Sequence, residues 1–162
     1  MPKVSAGPNL DLHYYEDDFS DPWRAAPTIL LQHGFSRNGN FWYNWVPLLS
    51  REFRVLRPDM RGMGRSKMAE GDYEPTLEVF VEDLLRLLDA AEVEQVVYVG
   101  ESFGGIIGLK FAHSHPERVK ALVLCNTPCR LPKRELQSQF NAGGDWDDTM
   151  RQGIGAWSTS TI

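Results

Sequence analysis

The sequence predicts an α/β fold, a mostly parallel sheet with helices on both faces, and three observations carry that prediction. Short apolar runs alternate with longer amphipathic stretches, the rhythm of a parallel sheet joined by crossover helices. The short runs are apolar at nearly every position rather than at every second one, as strands covered on both faces require. One of them leads into a glycine-flanked serine turn that opens directly into a helical stretch.

In chain order, Leu10-Asp11-Leu12-His13-Tyr14-Tyr15 reads as an early strand, and the acidic, proline-containing segment from Glu16 to Pro27 as a turn region. Thr28-Ile29-Leu30-Leu31-Gln32 is a buried strand that ends at His33-Gly34. Phe41, Trp42, Trp45, Leu48 and Leu49 recur at helical spacing, which predicts a helix from Phe41 to Ser50. Phe53 to Pro58 is a second buried strand, stopped by its proline. After the glycine-rich turn Arg61 to Ser66, a helix from Thr76 to Ala91 places Leu77, Phe80, Val81, Leu84 and Leu88 on one stripe. Thr76 suits its N-cap, and Glu82 with Arg86 adds an i,i+4 ion pair. Gln95 to Val99 is a strand rich in β-branched residues, Ser102 to His115 a helix closed by Pro116, and Ala121 to Cys125 one more buried strand. Parallel strands in this order need right-handed crossovers. From Arg130 the character turns polar, with short amphipathic helices expected at Lys133 to Phe140 and around Asp147 to Trp157.

With 162 residues, 42% hydrophobic and 24% charged, the chain can bury roughly 70% of its unfolded surface as one domain, without disulfides or a metal. Its 17 Lys and Arg against 22 Asp and Glu leave a net charge of -5 with no basic run. That balance gives no electrostatic reason for a nucleic-acid or anionic-membrane partner. No apolar stretch approaches the roughly 20 residues that span a bilayer. The N-terminus lacks the apolar segment of a secretory signal, so the expected location is cytoplasmic. Cys125 and Cys129 find no further Cys or nearby His to complete a zinc set, and read as two reduced thiols. No metal is expected.

The chemistry lies in Gly100-Glu101-Ser102-Phe103-Gly104-Gly105. A strand-to-helix turn this sharp forces its central residue into a strained backbone and needs tiny neighbours; Gly100 and Gly104 supply them. Ser102 is thereby presented at the carboxyl edge of the sheet, over a helix N-terminus that favours negative charge. A dinucleotide-binding loop is the competing explanation, but these glycines do not make G-x-G-x-x-G and the strand is not the first of the sheet. His33-Gly34-Phe35 closes an earlier strand and reaches the same edge. There the backbone N–H of Phe35 and that of Phe103 could aim at one oxygen of a tetrahedral intermediate. His33 reads as a residue that orients its loop by hydrogen bonding rather than as a base. Asp59, ahead of the glycine turn, reads as an acceptor of backbone N–H bonds, and Glu101 as structural or pocket-lining. Phe35, Phe41, Trp42 and Phe103 read as pocket walls or core.

Three motifs in order, His33-Gly34-Phe35, Asp59-Met60-Arg61-Gly62-Met63-Gly64-Arg65-Ser66 and Gly100-Glu101-Ser102-Phe103-Gly104-Gly105, resemble the α/β-hydrolase superfamily. With Phe111 to Val119, they are similar to its cofactor-free esterases, enol-lactone hydrolases and haloperoxidase-like enzymes. The resemblance covers residues 8 to 132 and implies Ser102 as nucleophile and the Phe35 and Phe103 amides as oxyanion hole. His33, Gly34, Gly100 and Gly104 shape the site, and no cofactor is implied.

Similar members carry a helical cap and two more strands, which deliver an acid and then a His. Residues 1–132 then correspond to the N-terminal part of the hydrolase core and 133–162 to the start of that cap or a disordered tail. The expectation is a chain truncated before the last strands and inactive as it stands, with an open sheet edge beside Ala121 to Cys125 available for pairing. Of its histidines, His113 and His115 would lie roughly 15–20 Å from the hydroxyl along the helix. His13 would be a surface or packing residue near the sheet edge. The complete form would open an ester, lactone or similar bond of a small hydrophobic substrate. The alternative is a hydrolase-like binding protein without catalysis.

Overall fold

The computed structural model describes residues 3–7, 10–66 and 76–128. The helices expected at Lys133 to Phe140 and Asp147 to Trp157, Cys129, and the boundary at residue 132 lie outside the described residues. Six strands, β1 (Lys3–Gly7), β2 (Leu10–Asp17), β3 (Thr28–Gln32), β4 (Arg54–Pro58), β5 (Val96–Glu101) and β6 (Val119–Cys125), form one sheet in the order β1-β2-β4-β3-β5-β6. β4, β3, β5 and β6 are parallel, while β2 runs antiparallel to both β4 and β1. The sheet is therefore mixed but mostly parallel. β1 escapes the sequence reading because KVSAG holds a single β-branched residue and no alternation of its own; pairing with β2 makes it a strand.

β3 shows how the layers arise from the pleat, since successive side chains point to opposite faces. Leu30 enters a cluster with Leu56, Tyr98, Phe80, Leu84, Leu88, Ile107 and Phe111, beneath helices α2 (Leu77–Ala90) and α3 (Phe103–Ser114). Its neighbours Ile29 and Leu31 pack with Val55 and Trp42 on the other face, under a short helical segment. That segment corrects an expectation. Instead of one helix from Phe41 to Ser50, a 3-10 stretch at Gly39–Trp45 hands over to a single turn, α1 (Val46–Leu49). Pro47 at the start of α1 has no N–H to continue a ladder from the preceding turn. Asn38 caps the 3-10 stretch by accepting the Asn40 N–H.

One further placement differs from the sequence reading, and another is decided between two alternatives. β6 is not buried on both faces: Val123 is 46% and Leu124 38% exposed, because among the described residues only β5 pairs with it. Of the two roles expected of His13, surface or packing, it takes the second: it is 2% exposed on β2, held between β1 and β4, with its ring nitrogen 3.4 Å from Asp59.

The strand register fixes the working edge. Gln32 of β3 pairs with Gly100 of β5, and Glu101 of β5 with Cys125 of β6. The residues that follow β3 and those that follow β5 are thus brought side by side at the carboxyl ends of the parallel strands, where open α/β sheets bind their ligands. Among the described residues no helix is long and apolar enough to cross a membrane.

Candidate active site

Ser102 links β5 to α3 with φ 52° and ψ -118°, outside every region favoured by an L-residue. Neighbouring strands hold it there. Its N–H donates to the Cys125 carbonyl of β6 at 3.0 Å, and its carbonyl accepts from Gly105 at 3.0 Å as α3 begins. The turn closes only on glycines. A Cβ on Gly100 would stand 2.6 Å from the Gly104 carbonyl oxygen, and one on Gly104 2.7 Å from the Gln32 carbonyl oxygen. Both obstacles are backbone, which cannot step aside cheaply. Below the turn, the buried Tyr98 hydroxyl donates to the Gly104 carbonyl at 2.8 Å.

Gly34 comes from the β3 side. A Cβ there would lie 3.0 Å from the Ser102 Cβ and 3.1 Å from the Glu101 carbonyl oxygen, so the two loops touch at this residue. Phe35 follows with its ring buried in the core, and Phe103 is the first residue of α3, its ring edge-on to Phe80 at 5.3 Å. Phe35 thus follows Gly34 where the two loops touch, and Phe103 follows Ser102 into α3. Trp42 is buried, whereas Phe41 is 39% exposed.

His33 is fully buried and both ring nitrogens are engaged. Nδ1 donates to the Gly34 carbonyl at 2.7 Å, and Nε2 accepts the Met60 N–H at 3.0 Å. Burial, only partly opposed by the Gly34 carbonyl and Asp59, lowers its pKa to about 4. It is a neutral brace between the loops after β3 and β4. Since the unfolded imidazole takes its proton near pH 6.5, acid favours the unfolded chain from that pH down to about 4. His33 should account for about 3 kcal/mol of stability lost across that window. Denaturant titrations at pH 7, 5.5 and 4.5 check this: His33→Gln should flatten the dependence, and an unchanged slope would refute it.

Asp59 is 1% exposed and accepts the Gly39 N–H at 2.6 Å and the Arg65 N–H at 2.9 Å, the acceptor role read from the sequence. Gly64, at φ +58°, leaves room for that carboxylate. Ser66 extends the network, its hydroxyl donating to the Asp59 carbonyl at 2.7 Å and accepting the His13 N–H at 2.9 Å. This His13–Asp59–Ser66 network was missed in the sequence, although Asp59 and Ser66 bracket its glycine turn. His113 falls in the last turn of α3 and His115 just beyond it. Among the described residues no histidine hydrogen-bonds the Ser102 hydroxyl.

A cleft of about 890 Å³ is lined by residues including Asp17, Phe19, Tyr43, Val46 and Glu52. These precede β3 and β4, at the opposite end of the strands from Ser102. The cleft does not belong to the serine turn.

A family model described as the alpha/beta hydrolase fold matches residues 27–162. The chain belongs to the α/β-hydrolase family. A 2-hydroxymuconate semialdehyde hydrolase of Pseudomonas sp. (strain CF600) is 38% identical over 124 residues, covering 75% of this chain and 41% of that relative. A hydrolase from Pseudomonas aeruginosa PA01 superposes with a TM-score of 0.75 at 34% identity, over 85% of this chain and 50% of that one. The enol-lactonase from Burkholderia xenovorans LB400 gives a TM-score of 0.71 at 26% identity, over 99% of this chain and 67% of that one. This α/β-hydrolase chain thus spans about two fifths of the length of the curated relative and half of the first structure.

Proposed function

We propose that this α/β-hydrolase chain carries the nucleophile half of a serine hydrolase that opens an ester, lactone or similar carbonyl bond through an acyl-enzyme on Ser102. The observation that carries the reading is the Ser102 backbone, held at φ 52° and ψ -118° at the head of α3, a strained conformation of the kind that clusters at active sites. In this reading the Phe35 and Phe103 N–H groups hold the acyl oxygen as it gains charge. His33 and Gly34 shape the first of those loops, and Gly100 and Gly104 allow the turn. The names of similar proteins, hydrolases and an enol-lactonase, support the same class of reaction, and a small hydrophobic substrate suits it.

Ser102 needs a base to be fast. His33 is spent on Gly34 and Met60, and His13 is buried against Asp59, so the described residues offer none. On these residues alone the serine is weakly activated, and an oxyanion hole with binding retains about 10³–10⁴ over water. The same observation favours the second reading, a hydrolase-like protein that binds a ligand without turnover.

Exposure of the complete gene product to a fluorophosphonate probe tests the proposal. One adduct on Ser102, absent from Ser102→Ala, is the expected result. An unlabelled protein, or equal labelling of the variant, would overturn it. Thermal stabilisation by ester ligands without turnover would then support the binding protein.

A further inference from the structure

Glu101, the residue before Ser102, is a buried carboxylate without adequate partners. Its side chain is 10% exposed, and Oε2 accepts no hydrogen bond. That oxygen lies against Gly34, where an added Cβ would collide with it. It also faces Arg37 Nε at 3.5 Å. Arg37, 45% exposed, is steadied from its other side by Phe41, whose ring centroid is 4.1 Å from the guanidinium carbon. Between Gly34 and Arg37 the chain passes through Ser36 at φ 60°, an unfavourable conformation for a serine, so this loop needs an external hold.

A half-exposed guanidinium at this distance compensates a buried carboxylate poorly. A glutamine of the same shape would fit the site without the buried charge, so stability alone gives no reason for glutamate. What glutamate adds is attraction for Arg37, and Arg37 in return offsets a negative charge that would oppose an oxyanion forming nearby.

We infer that Glu101 and Arg37 form a latch that holds the loop of Phe35 against the turn of Ser102, and so positions the oxyanion hole. Both are positioning residues, and the inference rests on the reading of Ser102 as nucleophile. The latch differs from a mere packing contact in one respect: exchanging its buried carboxylate for the isosteric amide costs reactivity without costing stability.

The test compares the complete gene product with Glu101→Gln, Arg37→Met, which keeps an apolar stem over Phe41, and the double variant. The readouts are fluorophosphonate adduct formation at Ser102, amide hydrogen exchange over residues 33–38, and melting temperature. Each single variant should label about tenfold more slowly and exchange about tenfold faster over the loop. Glu101→Gln should melt no lower than the parent, and the double variant should label no more slowly than the slower single one. Labelling within twofold of the parent, unchanged exchange, a rate loss in Glu101→Gln that follows a fall in its melting temperature, or losses that multiply would each overturn the latch. An unlabelled parent overturns the reading of Ser102 instead, while the exchange data still report whether the loop was held.

Discussion

Alanine at position 102 should lower ester turnover by the complete gene product about 10⁴- to 10⁶-fold in kcat, the scale on which a serine triad depends on its nucleophile. The expectation follows from where the structure places its strain. A non-glycine residue at φ 52° and ψ -118° is costly, and the neighbouring glycines 100 and 104 are kept free of side chains by backbone oxygens within 2.7 Å of any added Cβ. A turn that served only to connect β5 to α3 would have no need of serine at its centre, and alanine would be tolerated without consequence. The check is steady-state hydrolysis of an aryl ester by both proteins, with circular dichroism to establish that the variant is folded. Retention of a tenth of the parent activity would show that another group attacks the substrate.

The second large effect is on stability. Arg61 and Asp83 form a two-pronged pair, Nε to Oδ2 at 2.7 Å and Nη2 to Oδ1 at 2.6 Å, with side chains only 6% and 9% exposed. This joins the glycine turn after β4 to α2. Burial pushes the Asp83 carboxyl above its usual range even against the pull of Arg61, so for this carboxyl desolvation outweighs the attraction of its partner. Arg61→Met should therefore destabilise the fold by about 3–5 kcal/mol, because it leaves a buried carboxylate with only the part-exposed Arg86, 4.0 Å away. Adding Asp83→Leu should recover most of that loss, since a buried pair exchanged as a whole for apolar side chains is often neutral. Urea denaturation of the two variants decides the matter: if the double variant is as unstable as the single one, the loss arises from packing around residue 61 and not from the carboxylate left behind.

What was legible in the sequence was local. The apolar runs of β3, β4 and β5, the stripe of α2 and the glycine-serine turn each follow from periodicity or steric need within a few residues. So does the acceptor role of Asp59, since a carboxylate ahead of a glycine turn has backbone N–H groups within reach. What escaped depends on residues distant in the chain. The choice between surface and packing for His13 falls to packing because β1 and β4 flank β2, a neighbourhood that its own alternation does not specify. Glu101 and Arg37 meet only because Gln32 pairs with Gly100. Pro47 interrupts the single helix that the aromatic spacing around it predicts. β6 has the composition of an interior strand, and exposure is set by what pairs with it rather than by composition.

The hydrogen bond from the Ser102 N–H to the Cys125 carbonyl has a consequence for biosynthesis. Ser102 takes part of its geometry from a segment translated more than twenty residues later, and Thr127 adds a further contact to the Gly100 carbonyl. A nascent chain that has emerged only as far as the end of α3 holds the serine without the strand that braces it. Competence to react with electrophiles would then arise late in synthesis, when β6 docks beside β5, and not when the motif itself leaves the ribosome.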